Sequence, residues 1–293
     1  MKEVLHQLRG RVDRALEEIM PPEGTHPQRL TAAMRYSLFA GGKRIRPILA
    51  LAAAETCGGN AEDAMFAACA VELVHTYSLI HDDLPAMDDD DYRRGIATCH
   101  RAFDEGTAIL AGDALLTMAF EVLSEERSGS TLSPDTRIRM ISELARAAGW
   151  QGMVGGQQAD MDSEGAPPSQ PVLEYIHTHK TGAMIRCSIL LGALAASAGP
   201  DMLRAMEHYG EKLGLAFQVV DDILDVTSST EEMGKDQGSD AARGKMTYPA
   251  LLGVEGARSR ARDLVEDAKG ALGGLGRGDI LLHIADYVLL RRI

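Results

Sequence analysis

Residues 75–95 read His-Thr-Tyr-Ser-Leu-Ile-His-Asp-Asp-Leu-Pro-Ala-Met-Asp-Asp-Asp-Asp-Tyr-Arg-Arg-Gly, with six aspartates between Asp82 and Asp91 and two arginines directly after. The preceding run, Ala61 to Ile80, is apolar and helix-compatible, and Pro85 disfavours a helical Leu84. A helix therefore delivers Asp82 and Asp83 at its C-terminal end, where the macrodipole is already negative. Two carboxylates ~5 Å apart repel by about 3 kcal/mol at an effective dielectric of ~20, so burial there calls for a counter-charge. Oxygen-only ligands without Cys or clustered His point to Mg²⁺, with Mn²⁺ as a substitute. Mg²⁺ completes its shell with water and substrate phosphates, and the guanidinium forks of Arg93 and Arg94 also bind phosphate oxygens. The expected substrate carries phosphate; the bland alternative is a solvated acidic loop.

Upstream, Val4, Leu5, Leu8, Val12, Leu16 and Ile19 repeat at three- and four-residue steps, predicting a helix that Pro21 and Pro22 end. A second helix, from about Pro27 to Ala40, leads into Gly41-Gly42-Lys43-Arg44-Ile45-Arg46-Pro47. These cations read either as a capped helix end or as a compact diphosphate cradle. Ile48 to Cys57 and Ala61 to Ile80 read as antiparallel helices joined at Gly58-Gly59-Asn60. His75 lies seven residues before Asp82, two turns along one face, and is either a packed core histidine or part of the site.

Downstream, Gly106 to Leu123 and Pro134 to Gly149 read as helices, and Gln157 and Asp160 share a helix side, equally readable as surface polars. Pro171 to Ser197 reads as a long apolar helix broken at Lys180-Thr181-Gly182, and such a polar break often lines a cavity. The second acidic constellation is Phe217-Gln218-Val219-Val220-Asp221-Asp222-Ile223-Leu224-Asp225. Asp221 and Asp225 stack one turn apart on a helix with apolar flanks, so they too need a cation. Ser228 to Arg243, including Lys235, reads as a mobile polar loop, and Thr247 onward as helix. No period-two alternation appears, so the expected fold is all-α, one large helical bundle with a central cavity and a single domain over 1–293.

The formal charge of −13, from 43 acidic and 30 basic residues, argues against nucleic acid as a partner. Cys57, Cys69, Cys99 and Cys187 are widely spaced and read as free thiols of a reducing compartment. The N-terminus lacks the apolar core of a signal peptide. The segment read as most apolar, Ala183 to Gly199, is broken by Arg186 and falls short of the ~20 residues of a membrane span. A cytoplasmic protein with no transmembrane helix is expected.

Together the two Asp-Asp motifs, the Gly-Gly-Lys-Arg-Ile-Arg-Pro loop and the Lys-Thr break resemble the trans-isoprenyl diphosphate synthases, most closely the bacterial farnesyl diphosphate synthases. The resemblance spans nearly the whole chain. It implies that Asp82, Asp88 and Asp221 ligate Mg²⁺, supported by Asp83, Asp222 and Asp225. It implies that Arg93, Lys180 and Lys235 hold an allylic diphosphate, and that Lys43, Arg46, His75 and Arg94 hold isopentenyl diphosphate. Thr181 and Gln218 would turn oxygen dipoles toward the reacting carbons. Tyr77 and Ser78, five and four residues before Asp82, would floor the product cavity and stop growth at farnesyl. A homodimer is implied as well. Competing readings are a geranyl or geranylgeranyl synthase, a terpene cyclase and a non-catalytic helical partner. A cyclase has no use for the second diphosphate loop, and a non-catalytic partner is expected to have lost an Asp motif.

Overall fold

A helix that is apolar all round has to be buried all round, and Ala61–Asp82 (α4) is such a helix. Ala64, Ala67, Val71, Leu73 and Val74 are fully buried, and α4 packs against Ile45–Thr56 (α3), Glu105–Ser124 (α6) and Ala183–Ala195 (α10). Asn60 starts α4 by accepting a hydrogen bond from the Glu62 N–H at 3.0 Å, and Asp83 caps its end as Pro85 demands. The structure, a computed structural model, describes residues 2–126, 130–227, 245–273 and 278–290.

The remaining helices are α1 (Lys2–Ile19), α2 (Gln28–Leu38), α5 (Cys99–Ala102), α7 (Pro134–Ala148), α8 (Met153–Asp162), α9 (Gln170–Ile176), α11 (Pro200–Thr227), α12 (Tyr248–Ala271) and α13 (Asp279–Leu290). The all-α expectation holds. One small departure is an antiparallel pair of two-residue strands, Tyr92–Arg93 (β1) and Ile96–Ala97 (β2). Arg94 and Gly95 between them have φ of 55° and 81°, the positive values that a tight hairpin turn needs. Strands this short carry too few residues for alternation to show in sequence.

The long helix expected over Pro171 to Ser197 divides into α9, a π-turn over His177–Gly182, and α10. The turn sits where neighbours come unusually close. A Cβ on Gly214 of α11 would lie 2.8 Å from the Gly182 Cα, and one on Gly156 of α8 would strike the Lys180 backbone nitrogen. These bare contacts bring α8 and α11 against the Lys180–Thr181 segment. Asp160 lies one turn beyond Gly156, and Gln218 one turn beyond Gly214.

Among the described residues two helices other than the segment read as most apolar, α4 and α6, are long and apolar enough to cross a membrane by length and composition. The apolar window of α4 is 72% buried inside the bundle, which marks it as a core helix. That of α6 is 39% buried, because Ile109 and Leu110 face outward at 44% and 58% exposure. All four cysteines are free thiols; Cys57 is only partly buried, and burial pushes its thiol up to about 11.

Candidate active site

A glutamate inside an apolar helix requires a partner, and Glu72 of α4 finds Arg44 at 2.7 Å, both side chains 2% exposed. Arg44 also bonds Asp13 Oδ1 at 2.9 Å and the Leu38 carbonyl at 2.7 Å. The compact cradle of three neighbouring cations is thus corrected: Arg44 turns inward as a structural anchor. Its backbone takes φ 52°, and α3 begins at the next residue, earlier than the periodicity suggested, with Arg46 in its first turn. Lys43 is exposed on the same loop.

The hairpin folds Arg94 back over this loop, where it donates to the Gly41 carbonyl. Burial, together with Arg46, Arg94, Arg93 and Arg44, holds the His75 imidazole well below its ordinary range. Arg46 and Arg94 thus stand close enough to His75 to help keep its imidazole uncharged, and the positive charge of this region comes from the arginines. Next to it, Arg93 Nε bonds Asp83 Oδ1 at 2.6 Å, and its Nη2 lies 3.5 Å from Asp90.

A second cationic group meets the acidic motif from the opposite elements of the chain. Lys180 Nζ, on the π-turn, donates to Asp160 Oδ2 at 2.6 Å. Lys245 Nζ lies 3.5 Å from Asp88 and 3.9 Å from the same Asp160 oxygen. Burial works against the Lys180 ammonium, yet Asp160, Asp82 and Asp88 hold it above the ordinary lysine range. At Asp82 the outcome reverses. Burial lifts its carboxyl to about 6, with Asp88 and Asp83 adding to the rise against Lys180 and Arg93.

Asp83 and Asp222, expected to support the metal, each make contacts within the protein. Asp83 is 3% exposed and bonded to Arg93, while Asp222 Oδ2 accepts from His177 Nε2 and from the Tyr248 N–H, each at 2.9 Å. Asp221 and Gln218 are half-buried on α11, and Asp225 is buried one turn after Asp221. Thr181 is half-buried on the π-turn. Lys235 lies outside the described residues. Tyr77 is 6% exposed and packs edge-to-face on His81, ring centroids 5.6 Å apart. Burial and the Asp82 charge push its phenol up to about 12. Ser78 Oγ bonds its own helix at the His75 carbonyl, 2.9 Å away.

Sequence reading missed Asp160 as a lysine partner, and it missed Lys245, Glu72 and His177. Glu72 carried a signal, since a lone carboxylate inside an apolar run must be paired. Gly155-Gly156 just before Gln157 and Asp160 was a second signal, of close helix approach. Lys245 had none, standing beside a segment without periodicity.

The family model for polyprenyl synthetase matches residues 27–271. The chain belongs to the polyprenyl synthetase family. It is 49% identical to farnesyl diphosphate synthase of Escherichia coli over 284 residues, covering 95% of each chain. It is 46% identical over 286 residues to the large subunit 1 of a heterodimeric geranylgeranyl pyrophosphate synthase of Arabidopsis thaliana, covering 96% of this chain and 76% of that one. Among solved structures, an FPP/GFPP synthase from Zymomonas mobilis superposes with a TM-score of 0.87 at 38% identity, over 98% of both chains. The chain thus has the all-α fold and the membership of a prenyltransferase family.

Asp82 gives the metal-free protein a pH signature. Its folded value of about 6 lies above the ordinary 3.8, so the penalty is absent below about pH 4 and complete above about pH 6. The difference corresponds to roughly 3 kcal/mol. Asp82→Asn should raise the melting temperature of the metal-free protein by several degrees at pH 7.5, and the gain should vanish below about pH 4. A lower melting temperature at pH 7.5 would contradict this reading of the cluster.

Proposed function

We propose that this protein condenses isopentenyl diphosphate with dimethylallyl and then geranyl diphosphate to give (2E,6E)-farnesyl diphosphate. The observation that carries the reading is the pairing of one acidic cluster with two separate cation groups, Arg46 and Arg94 beside an uncharged His75, and Lys180 with Lys245. One group suits each of two diphosphates. Among the described residues, no three carboxylate, thiol or imidazole groups form a ready-made metal cage. That donor set still fits Mg²⁺, which takes one or two carboxylates and fills its shell with water and substrate phosphates. The raised carboxyl of Asp82 marks a place short of positive charge. Asp82, Asp88 and Asp221, with Asp225 one turn on, would hold Mg²⁺, and Mn²⁺ would substitute. The ion supplies Lewis-acid stabilisation of the negative charge on the departing diphosphate.

The chain's own residues divide the rest of the work. Arg93, Lys180 and Lys245, with Lys235 by resemblance, bind the allylic diphosphate and stabilise it as its C–O bond breaks. Thr181 and Gln218 turn oxygen dipoles toward the allylic cation. Lys43, Arg46, His75 and Arg94 hold isopentenyl diphosphate so that its double bond faces that cation. A new C–C bond forms, and the departed diphosphate takes the proton lost from the adduct. The apolar bundle keeps water from quenching the cation.

The choice of farnesyl rests on Tyr77. Its buried ring sits within the electrostatic reach of Asp82, one turn and more along the axis of α4, where a growing chain would run. We read residues 1–293 as one polyprenyl synthetase domain, cytoplasmic and without nucleic-acid partners. The outward apolar face of α6, Ile109 and Leu110, supports a homodimer. Leu110→Glu should then sediment as a monomer, and an unchanged dimer would move the interface elsewhere. Incubating the purified protein with dimethylallyl or geranyl diphosphate, isopentenyl diphosphate and Mg²⁺, then separating products, should yield mainly farnesyl diphosphate. Tyr77→Ala should shift the product toward geranylgeranyl or longer chains. Geranylgeranyl as the main product of the unmodified protein would overturn the farnesyl assignment, and an unchanged profile from active Tyr77→Ala would overturn the floor.

A further inference from the structure

One oxygen, Oδ2 of Asp222, accepts two hydrogen bonds of 2.9 Å from two different elements. One comes from His177 Nε2, on the first residue of the π-turn, and the other from the backbone N–H of Tyr248, the first residue of α12. Asp222 and His177 are 4% and 5% exposed. A carboxylate oxygen accepts, so Nε2 must carry the proton. The Tyr248 N–H is among the donors that a helix start leaves without an intrahelical partner, and a carboxylate suits that positive end. The His177 ring also packs on that of Tyr248, centroids 5.6 Å apart, and the Tyr248 hydroxyl reaches Glu174 of α9 at 3.5 Å. α9, the π-turn, α11 and α12 are thus joined through a ring of contacts whose His177–Asp222 centre is buried.

Three of these elements, the π-turn, α11 and the approach to α12, carry a proposed reacting group within a few residues of the junction. Lys180 and Thr181 follow His177 by three and four positions, Asp221 precedes Asp222 directly, and Lys245 stands three before Tyr248. We infer that the His177–Asp222–Tyr248 network sets the spacing of Lys180–Thr181, Asp221 and Lys245, with His177 as a positioning residue for the allylic half of the site. His177 acts through Asp222 and Tyr248, to which its ring is committed. The groups assigned to isopentenyl diphosphate stand on the loop before α3, on α3, on α4 and on the hairpin, and the hydrogen bonds of the network reach none of these. This inference rests on the roles proposed above for Lys180, Asp221 and Lys245.

The alternative, a histidine that merely fills space, is separated by comparing His177→Phe, which keeps a ring without the donor, with His177→Gln, whose amide restores a donor. Should His177→Phe fail to fold, His177→Leu takes its place. His177→Phe should lower kcat about 10- to 100-fold, the scale of an ångström-level misplacement, with the KM for isopentenyl diphosphate within about twofold of the unmodified enzyme. His177→Gln should regain most of the loss. Amide exchange at Tyr248 should quicken in His177→Phe and return toward the original rate in His177→Gln. Full turnover by folded His177→Phe, equal loss in both variants, or an unchanged Tyr248 exchange rate would each overturn the inference. An unmodified protein that condenses no diphosphates would instead defeat the functional reading, and the exchange comparison would still decide the network.

Discussion

Aspartates placed at the C-terminal ends of helices inside a bundle can stay there only if cations from other helices face them. Both acidic motifs lie at such ends, Asp82 closing α4 and Asp225 in the last turn of α11. The first motif, at the end of α4, therefore receives Arg93 from the hairpin, Lys180 from the π-turn and Lys245 from the approach to α12. The close helix packing at Gly156, Gly182 and Gly214 serves this arrangement, since side chains there would hold α8 and α11 away from the lysine-bearing turn. Charge matching remains incomplete at Asp82, and that deficit is what a metal and a diphosphate would fill together.

The Arg44–Glu72 pair solves a different problem. Removing one partner from a buried ion pair costs about 3 to 5 kcal/mol, although the intact pair adds little over an apolar core. Its value here is geometric. Arg44 ties α1 through Asp13, the end of α2 through the Leu38 carbonyl, and α4 through Glu72, one turn before His75. The loop carrying Lys43 and Arg46 is thereby held over the site by its own middle residue. Asp83 and Asp222 behave alike: the second aspartate of each pair is spent on protein contacts, orienting Arg93 in one case and the π-turn and α12 in the other.

Most of the helices and the two acidic motifs were legible because periodicity and punctuation are local. Pro85 ends α4, Asn60 begins it, and the Lys-Thr-Gly interruption marks the π-turn. What stayed hidden depends on contacts distant in the chain. Nothing local says that of three cations in four residues the middle one points inward, since Glu72 and Asp13, its partners, stand 28 and 31 positions away. Asp160 reads as a surface polar until the Gly156 contact brings Lys180 to it, 20 positions on. His177 reads as one histidine beside a Lys-Thr pair until Asp222, 45 positions later, turns up beneath it. The hairpin escaped notice because four residues carry no measurable period.

If the roles proposed for them hold, the acidic and cationic groups are complementary to a metal ion and a diphosphate bound together, and to neither alone. Thermal melts at pH 7.5 with Mg²⁺ alone, inorganic diphosphate alone, and both together test this directly, because a ligand stabilises the folded state only as far as it binds there. Either ion alone should give a small shift, and both together a rise that exceeds the sum of the two. Strictly additive shifts, or a full rise with Mg²⁺ alone, would contradict it.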